Sequence, residues 1–284
     1  NLISSKSQCN TNGWLGLLVT FFIDSTPSWL IASNSKVAPT ILLLSVSYRS
    51  RCCAVVVPMF WKKEVINKEW TILFGIALVV AVSLLFKNLG LYPIVMDDEY
   101  AYSKFTRLLP FSKSVFPNYL FFIVYRITNH CGEGFLDCAR ILNIPFFVSA
   151  APFIYLIGSR ITGKKTALLI AVLSLLAPVN VYTAFFMTES MYFFAFWVFT
   201  WFFLRTIRQQ GILQWMVLGM LLGLAALVKP HALFLLPALT TLFIVFFRQD
   251  RDTGASRKIL LYAVFFAAAI ATKFGIGFLL AGKP

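Results

Sequence analysis

Seven apolar stretches, each 15 to 22 residues long, set the terms on which this chain can fold. They are Trp70–Phe86, Ile141–Ile157, Thr166–Tyr182, Ser190–Leu204, Leu213–Val228, Ala232–Phe247 and Ile259–Leu280. About 20 apolar residues in a helix span the hydrocarbon core of a bilayer, and a helix satisfies all its backbone polar groups internally. Hydrophobic residues make up 59% of the 284 positions and charged ones only 13%, against about 25% charged in ordinary globular chains. A soluble domain of this length could not bury so much apolar surface. The pattern therefore predicts an all-α polytopic membrane protein with about seven transmembrane helices and no soluble domain.

The net charge of +14 would point to nucleic acid in a soluble protein. Here the basic residues flank the apolar runs, where cytoplasmic loops collect them, so nucleic-acid binding is set aside. Lys62–Lys68, Arg160 with Lys164 and Lys165, Arg205 with Arg208, and Arg248 to Lys258 fall at alternate ends of successive runs. Among the opposing short loops the only basic position is Lys229. The first helix thus runs from inside to outside, and the loop from Lys87 to Arg140 is external and the longest. Within it, Glu99–Leu109 reads as a short interfacial helix. Phe116–Ile127 reads as a second element resting on or dipping into the membrane surface.

Residues 1–58 differ from the rest, being Ser-rich and only patchily apolar, with Asp24 and Pro27 interrupting the Trp14–Ile31 stretch. Met59, followed by Phe60, Trp61, Lys62 and Lys63, reads as a start with a basic cytoplasmic flank. The expected division is an atypical segment of unclear role over 1–58 and a transmembrane catalytic module over 59–284. Because the chain begins with Asn and stops just after an apolar run, the expectation is a fragment truncated at its C-terminus. Cys131 and Cys138 lie close together in the long loop, where an oxidising compartment would allow a disulfide. Spacing alone leaves a disulfide and two free thiols equally open.

The chain has only eleven acidic residues, and Asp97, Asp98 and Glu99 are consecutive, just past the outer end of the first apolar run. Adjacent carboxylates repel, so such a cluster persists with a cation, with a proton-accepting task or in ample solvent. Tyr100, Tyr102, Lys104 and Arg107 follow at helical spacing, and aromatic and basic groups suit a sugar and a phosphate. Glu189 stands between two apolar runs, where an ionisable group is costly and often functional. The plainer reading makes it a helix N-terminal acid favoured by the dipole, with Thr188 as cap. Lys229 and His231 flank Pro230. Lys229 suits a lipid phosphate, or simply snorkels to the head groups. No histidine spacing supports a zinc site, and no glycine-rich nucleotide loop is present.

Taken in order, Asp98-Glu99-x-x-Tyr102, Cys138-Ala139-Arg140-Ile141-Leu142-Asn143, Met187-Thr188-Glu189-Ser190 and Gly223-Leu224-Ala225-Ala226-Leu227-Val228-Lys229-Pro230 resemble a known pattern. The chain from Trp61 to Pro284 is similar to the GT-C glycosyltransferases that use polyprenyl-phosphate sugars, the group of protein O-mannosyltransferases and lipid A aminoarabinose transferases. The resemblance implies a catalytic base in the first outer loop, matched by Asp98 with Glu99 beside it, and a second acid matched by Glu189. The extra acid Asp97 leaves the base open by one position. The partners implied are a polyprenyl-phosphate-linked sugar donor, a lipid, glycan or protein acceptor, and membrane lipids. The setting implied is a bacterial inner membrane with the site facing outward.

On this reading a carboxylate takes the proton of an acceptor hydroxyl while Lys229, Arg107 or Arg140 steadies the departing phosphate, in one inverting displacement. Tyr102, Lys104 and His231 complete the candidate substrate contacts. Whether a divalent cation orients the acids is not legible in these residues. The competing readings are a transporter or flippase for lipid-linked sugars and a membrane scaffold without chemistry. The transporter would call for internal repeats or helices broken near the midplane. No repeat is visible, and the acids gather at one face.

Overall fold

The computed structural model describes residues 68–91, 97–207, 211–249 and 254–282. All of these belong to one compact unit, Val65–Pro284. The segment 1–58 and the start expected at Met59 lie outside the described residues. The described chain is helical with no strand. Its helices are α1 (Lys68–Asn88), α2 (Asp97–Arg107), α3 (Tyr119–Tyr125), α4 (Phe135–Val148), α5 (Ala151–Ile161) and α6 (Lys164–Leu176). They continue with α7 (Glu189–Thr206), α8 (Ile212–Val228), α9 (Leu235–Gln249) and α10 (Ala255–Ala281). Short 3₁₀ segments at Phe111–Lys113, Arg126–Gly134, Pro178–Ala184 and Pro230–Phe234 join them.

Each of the seven apolar stretches is helical, but they do not all meet the requirements for crossing a bilayer. Four helical stretches are long and apolar enough: Lys68–Asn88, Tyr119–Ile161, Pro230–Arg248 and Ala255–Ala281. Lys164–Leu176 and Pro178–Ala184, bent by 46°, make a fifth if taken as one span. The expected count of seven is therefore four or five by this measure. The two remaining helices differ for physical reasons: α7 carries Glu189 and Arg205 near its ends, and α8 has only 17 residues.

Prolines set the interruptions. Pro145 sits inside α4, where it removes a helical hydrogen bond, and the chain turns at Ser149 and Ala150 before α5 begins. Pro178 and Pro230 each open a 3₁₀ segment, the position where a missing N–H costs least. The α8–α10 seam is made by small residues. A Cβ at Gly223 would lie 2.7 Å from the carbonyl oxygen of Ala269, and one at Gly219 would overlap that of Phe265. This Gly-x-x-x-Gly spacing lets two backbones approach where lipid provides no hydrophobic drive.

Both short elements expected in the long loop are present as α2 and α3. The second is less superficial than expected. Tyr119, Phe121, Phe122 and Tyr125 of α3 are buried, packed in one cluster with Phe186, Leu227 and Val228. Cys131 and Cys138 are joined by a disulfide, which ties the Arg126–Gly134 segment to the first turns of α4.

Candidate active site

The segment between Pro178 and α7 is the point on which the polar groups converge. Asn143 of α4 is fully buried, and its Nδ2 donates to the carbonyls of Thr183 (3.2 Å) and Phe185 (2.7 Å). Its Oδ1 accepts a hydrogen bond from the Tyr125 hydroxyl. Arg140, one turn earlier, donates through Nε to the Ala184 carbonyl (3.0 Å) and through Nη1 to the Leu91 carbonyl (3.0 Å) and to Asp137 (2.7 Å). Asn88 at the end of α1 donates to the Thr183 hydroxyl at 2.8 Å. The three-residue spacing puts Arg140 and Asn143 on one face of α4, so a single helix face holds successive carbonyls of one segment.

Two adjacent acids of α2 have different environments. Glu99 is 3% exposed, and its Oε1 accepts a 2.7 Å hydrogen bond from the Phe186 N–H. Asp98 is exposed. On a helix, neighbours point about 100° apart, while residues four apart share a face. Asp98 accordingly falls in line with Tyr102, whose ring packs against Phe116 and Phe121. Burial first, then the Glu189 and Asp98 carboxylates, push the Tyr102 phenol up to about 12. Tyr102 is thus a neutral hydroxyl at ordinary pH, standing within electrostatic reach of both acids. Asp97 is the first residue of α2.

Glu189 is the first residue of α7, and its Oε1 pairs with Lys229 Nζ at 2.8 Å. Both side chains are partly exposed, at 20% and 24%. Thr188 makes no side-chain cap hydrogen bond, so the capping half of the plainer reading of Glu189 is not realised. Lys229 owes its placement to Pro230. A residue before proline is pushed to extended backbone, and Lys229 has φ −144° and ψ 117°, leaving the line of α8. His231 is exposed, edge-on to Phe234 at 5.5 Å, and within electrostatic reach of Lys229 and Glu189.

The chain from residue 112 to 276, more than half of its length, matches the family model described as dolichyl-phosphate-mannose-protein mannosyltransferase. The chain belongs to that family. It is a membrane glycosyltransferase of GT-C type, and the family implies a lipid-linked sugar donor and an acceptor. No curated protein matches the chain. Arg140, Glu189, Lys229 and His231 lie within the matched family region, whereas Asp97, Asp98, Glu99, Tyr102, Lys104 and Arg107 precede it.

Of the residues singled out in the sequence, the structure groups Asp98 and Glu189 about Tyr102, with Lys229 and His231 beside Glu189. Arg140 is drawn into the framework that holds residues 183–186. Arg107 is stacked 3.5 Å over the Phe135 ring, and Lys104 is exposed, 6.0 Å from the Tyr100 ring. Among the described residues no group of three or more His, Cys, Asp or Glu side chains could hold a metal ion. Tyr125, Asn118 and Lys273 escaped the sequence reading, and Asn143 entered it only as the last residue of a matched motif, with no role given to it. Only Lys273 carried a visible signal, a charge inside an apolar run.

Proposed function

We propose that this glycosyltransferase moves a sugar from a polyprenyl-phosphate donor to an acceptor hydroxyl at the extracytoplasmic face of the membrane, with inversion. Asp98 accepts the hydroxyl proton, the acceptor oxygen bonds to the anomeric carbon, and the bond from that carbon to the phosphate oxygen breaks. The lipid phosphate leaves with the bonding pair. Lys229 supplies the cation that the leaving phosphate needs, and Glu189 holds that ammonium in place until the phosphate is present. Tyr102, a neutral donor between the acids, orients the sugar or acceptor, and His231 lines the same edge.

The observation that carries this reading is the contrast within α2. The exposed Asp98 shares the neighbourhood of Tyr102 with the Glu189–Lys229 pair, while Glu99 is engaged by the Phe186 N–H. A base must be reachable by the hydroxyl it deprotonates. That supports Asp98 as the base, with Glu99 as a positioning residue. Arg140 acts through the framework, Arg107 steadies the outer loop through Phe135 and the Gly132 carbonyl, Lys104 is an exposed cation of α2, and Asp97 contributes charge at the start of α2. The remainder of the proposal is an outward-facing site in a bacterial inner membrane, formed by the module over 59–284.

The test is transfer of labelled sugar from a polyprenyl-phosphate donor by the detergent-solubilised protein, normalised to folded molecules. Asp98→Asn keeps size and polarity and should lower the rate by about 10²–10⁴-fold, the usual contribution of a positioned base. A near-normal rate in Asp98→Asn would remove Asp98 from the mechanism.

A further inference from the structure

Lys273 lies well inside α10 on a face shared with Phe265, Ala269 and Gly277, all buried and none of them polar. It is itself only 6% exposed, and its Nζ donates a 2.9 Å hydrogen bond to the Pro117 carbonyl. A buried ammonium within a membrane helix is costly to maintain, and a face of small and apolar residues has no packing need for one. Its partner is the residue before Asn118, which is 1% exposed and donates through Nδ2 to the Val228 carbonyl at 2.7 Å. Val228 is the last residue of α8, where carbonyls lack partners within the helix. The Pro117–Asn118 pair is thus gripped by α10 and in turn caps α8, one residue before Lys229.

We propose that Lys273 and Asn118 are positioning residues for sugar transfer: the chain Lys273–Pro117–Asn118–Val228 sets where Lys229 presents its ammonium. This rests on the role given above to Lys229 as counter-charge to the leaving phosphate. Lys229 hangs from the Val228 peptide on extended backbone, so a shift of the α8 terminus is carried directly to its side chain. Misplacing a catalytic group by about 1 Å can cost about 10²-fold in rate. Neither Lys273 nor Asn118 needs to touch the substrate for this effect.

The experiment uses the full chain in detergent with a polyprenyl-phosphate sugar as probe. It measures kcat, donor KM and amide hydrogen exchange across residues 226–232. Lys273→Met should lower kcat by about 10- to 100-fold with donor KM nearly unchanged, and exchange around Lys229 should quicken. Lys273→Arg, which restores a donor, should recover most of both. Asn118→Ala, which leaves α10 untouched, should reproduce the Lys273→Met result and carries the test if that variant does not fold. Unchanged kcat in these variants while Lys229→Met is inactive would overturn the positioning role alone. Full activity in Lys229→Met would overturn the counter-charge role and the positioning claim together. A fall in kcat without faster exchange, or without recovery in Lys273→Arg, would also overturn the positioning role.

Discussion

Around residues 183–186 the chain is held by side chains reaching in from α1, α2 and α4, whereas along α8 and α10 it is held by the absence of side chains at Gly219 and Gly223. At the polar end the bonds are directional. The Phe186 N–H, the Ala184 carbonyl and the carbonyls on either side of it each have a particular partner. At the seam the constraint is shape alone. Trp215, Phe243 and Phe265 fill the space beside the glycines without a directional demand. Hydrogen bonds fix position and angle, while packing fixes mainly distance. The polar end is therefore expected to affect both stability and turnover, and the seam stability alone.

The contrast is broken most severely at Asn143. Asn143→Leu keeps the volume but strands the Thr183 and Phe185 carbonyls and the Tyr125 hydroxyl in a buried setting. Each stranded group costs about 1–3 kcal/mol, so a loss of about 3 kcal/mol or more is expected in denaturant or thermal unfolding. Transfer per folded molecule should also fall at least tenfold, taking misplacement of Glu189 as the cause. A destabilised variant with normal turnover per folded molecule would separate the clamp from the site.

At the seam the expected result is the opposite in kind. Gly223→Leu forces the Ala269 carbonyl and Thr272 away from α8. Overpacking of this sort costs about 1–3 kcal/mol, read as a lower unfolding temperature in detergent. Molecules that remain folded should transfer sugar at nearly the normal rate. A loss of turnover matching that of Asn143→Leu would show that the seam also positions the site.

The same contrast explains what the sequence could reveal. Apolar runs are local signals, so every one of the seven stretches proved helical. Their number as spans was less legible, because α7 and α8 have marginal length or end charges whose shelter depends on neighbouring helices. Glu189 and Lys229 stood out because charge is rare in the short outer loops between the apolar runs. Asn143 appeared only at the end of a matched motif and without a role, since an asparagine in a helix declares nothing until the carbonyls it meets, 40 and 42 residues away, are known. Cys131 and Cys138 carried a spacing compatible with two outcomes, and the folded loop selected the disulfide. The resemblance matched the base to Asp98 with Glu99 beside it, but nothing in the residues themselves gave a physical reason to separate the two. Their difference comes from helix phase, which turns one toward solvent and the other toward Phe186.

That last difference gives the smallest and sharpest test. Glu99→Gln retains a carbonyl oxygen able to accept from the Phe186 N–H, with little change in volume. What it loses is the charge on the acceptor. Hydrogen bonds to charged groups contribute about 1.5–3 kcal/mol and neutral ones about 0.5–1.5 kcal/mol, so stability should fall by about 1 kcal/mol. If Glu99 positions the 183–186 segment and Asp98 takes the proton, turnover per folded molecule should stay within about threefold, against the 10²–10⁴-fold fall expected for Asp98→Asn. Glu99→Leu, which abandons the N–H altogether, should be worse than Glu99→Gln in both stability and turnover. A collapse in Glu99→Gln alongside a mild Asp98→Asn would move the base to Glu99. The Phe186 contact would then describe a resting arrangement that the acceptor must displace.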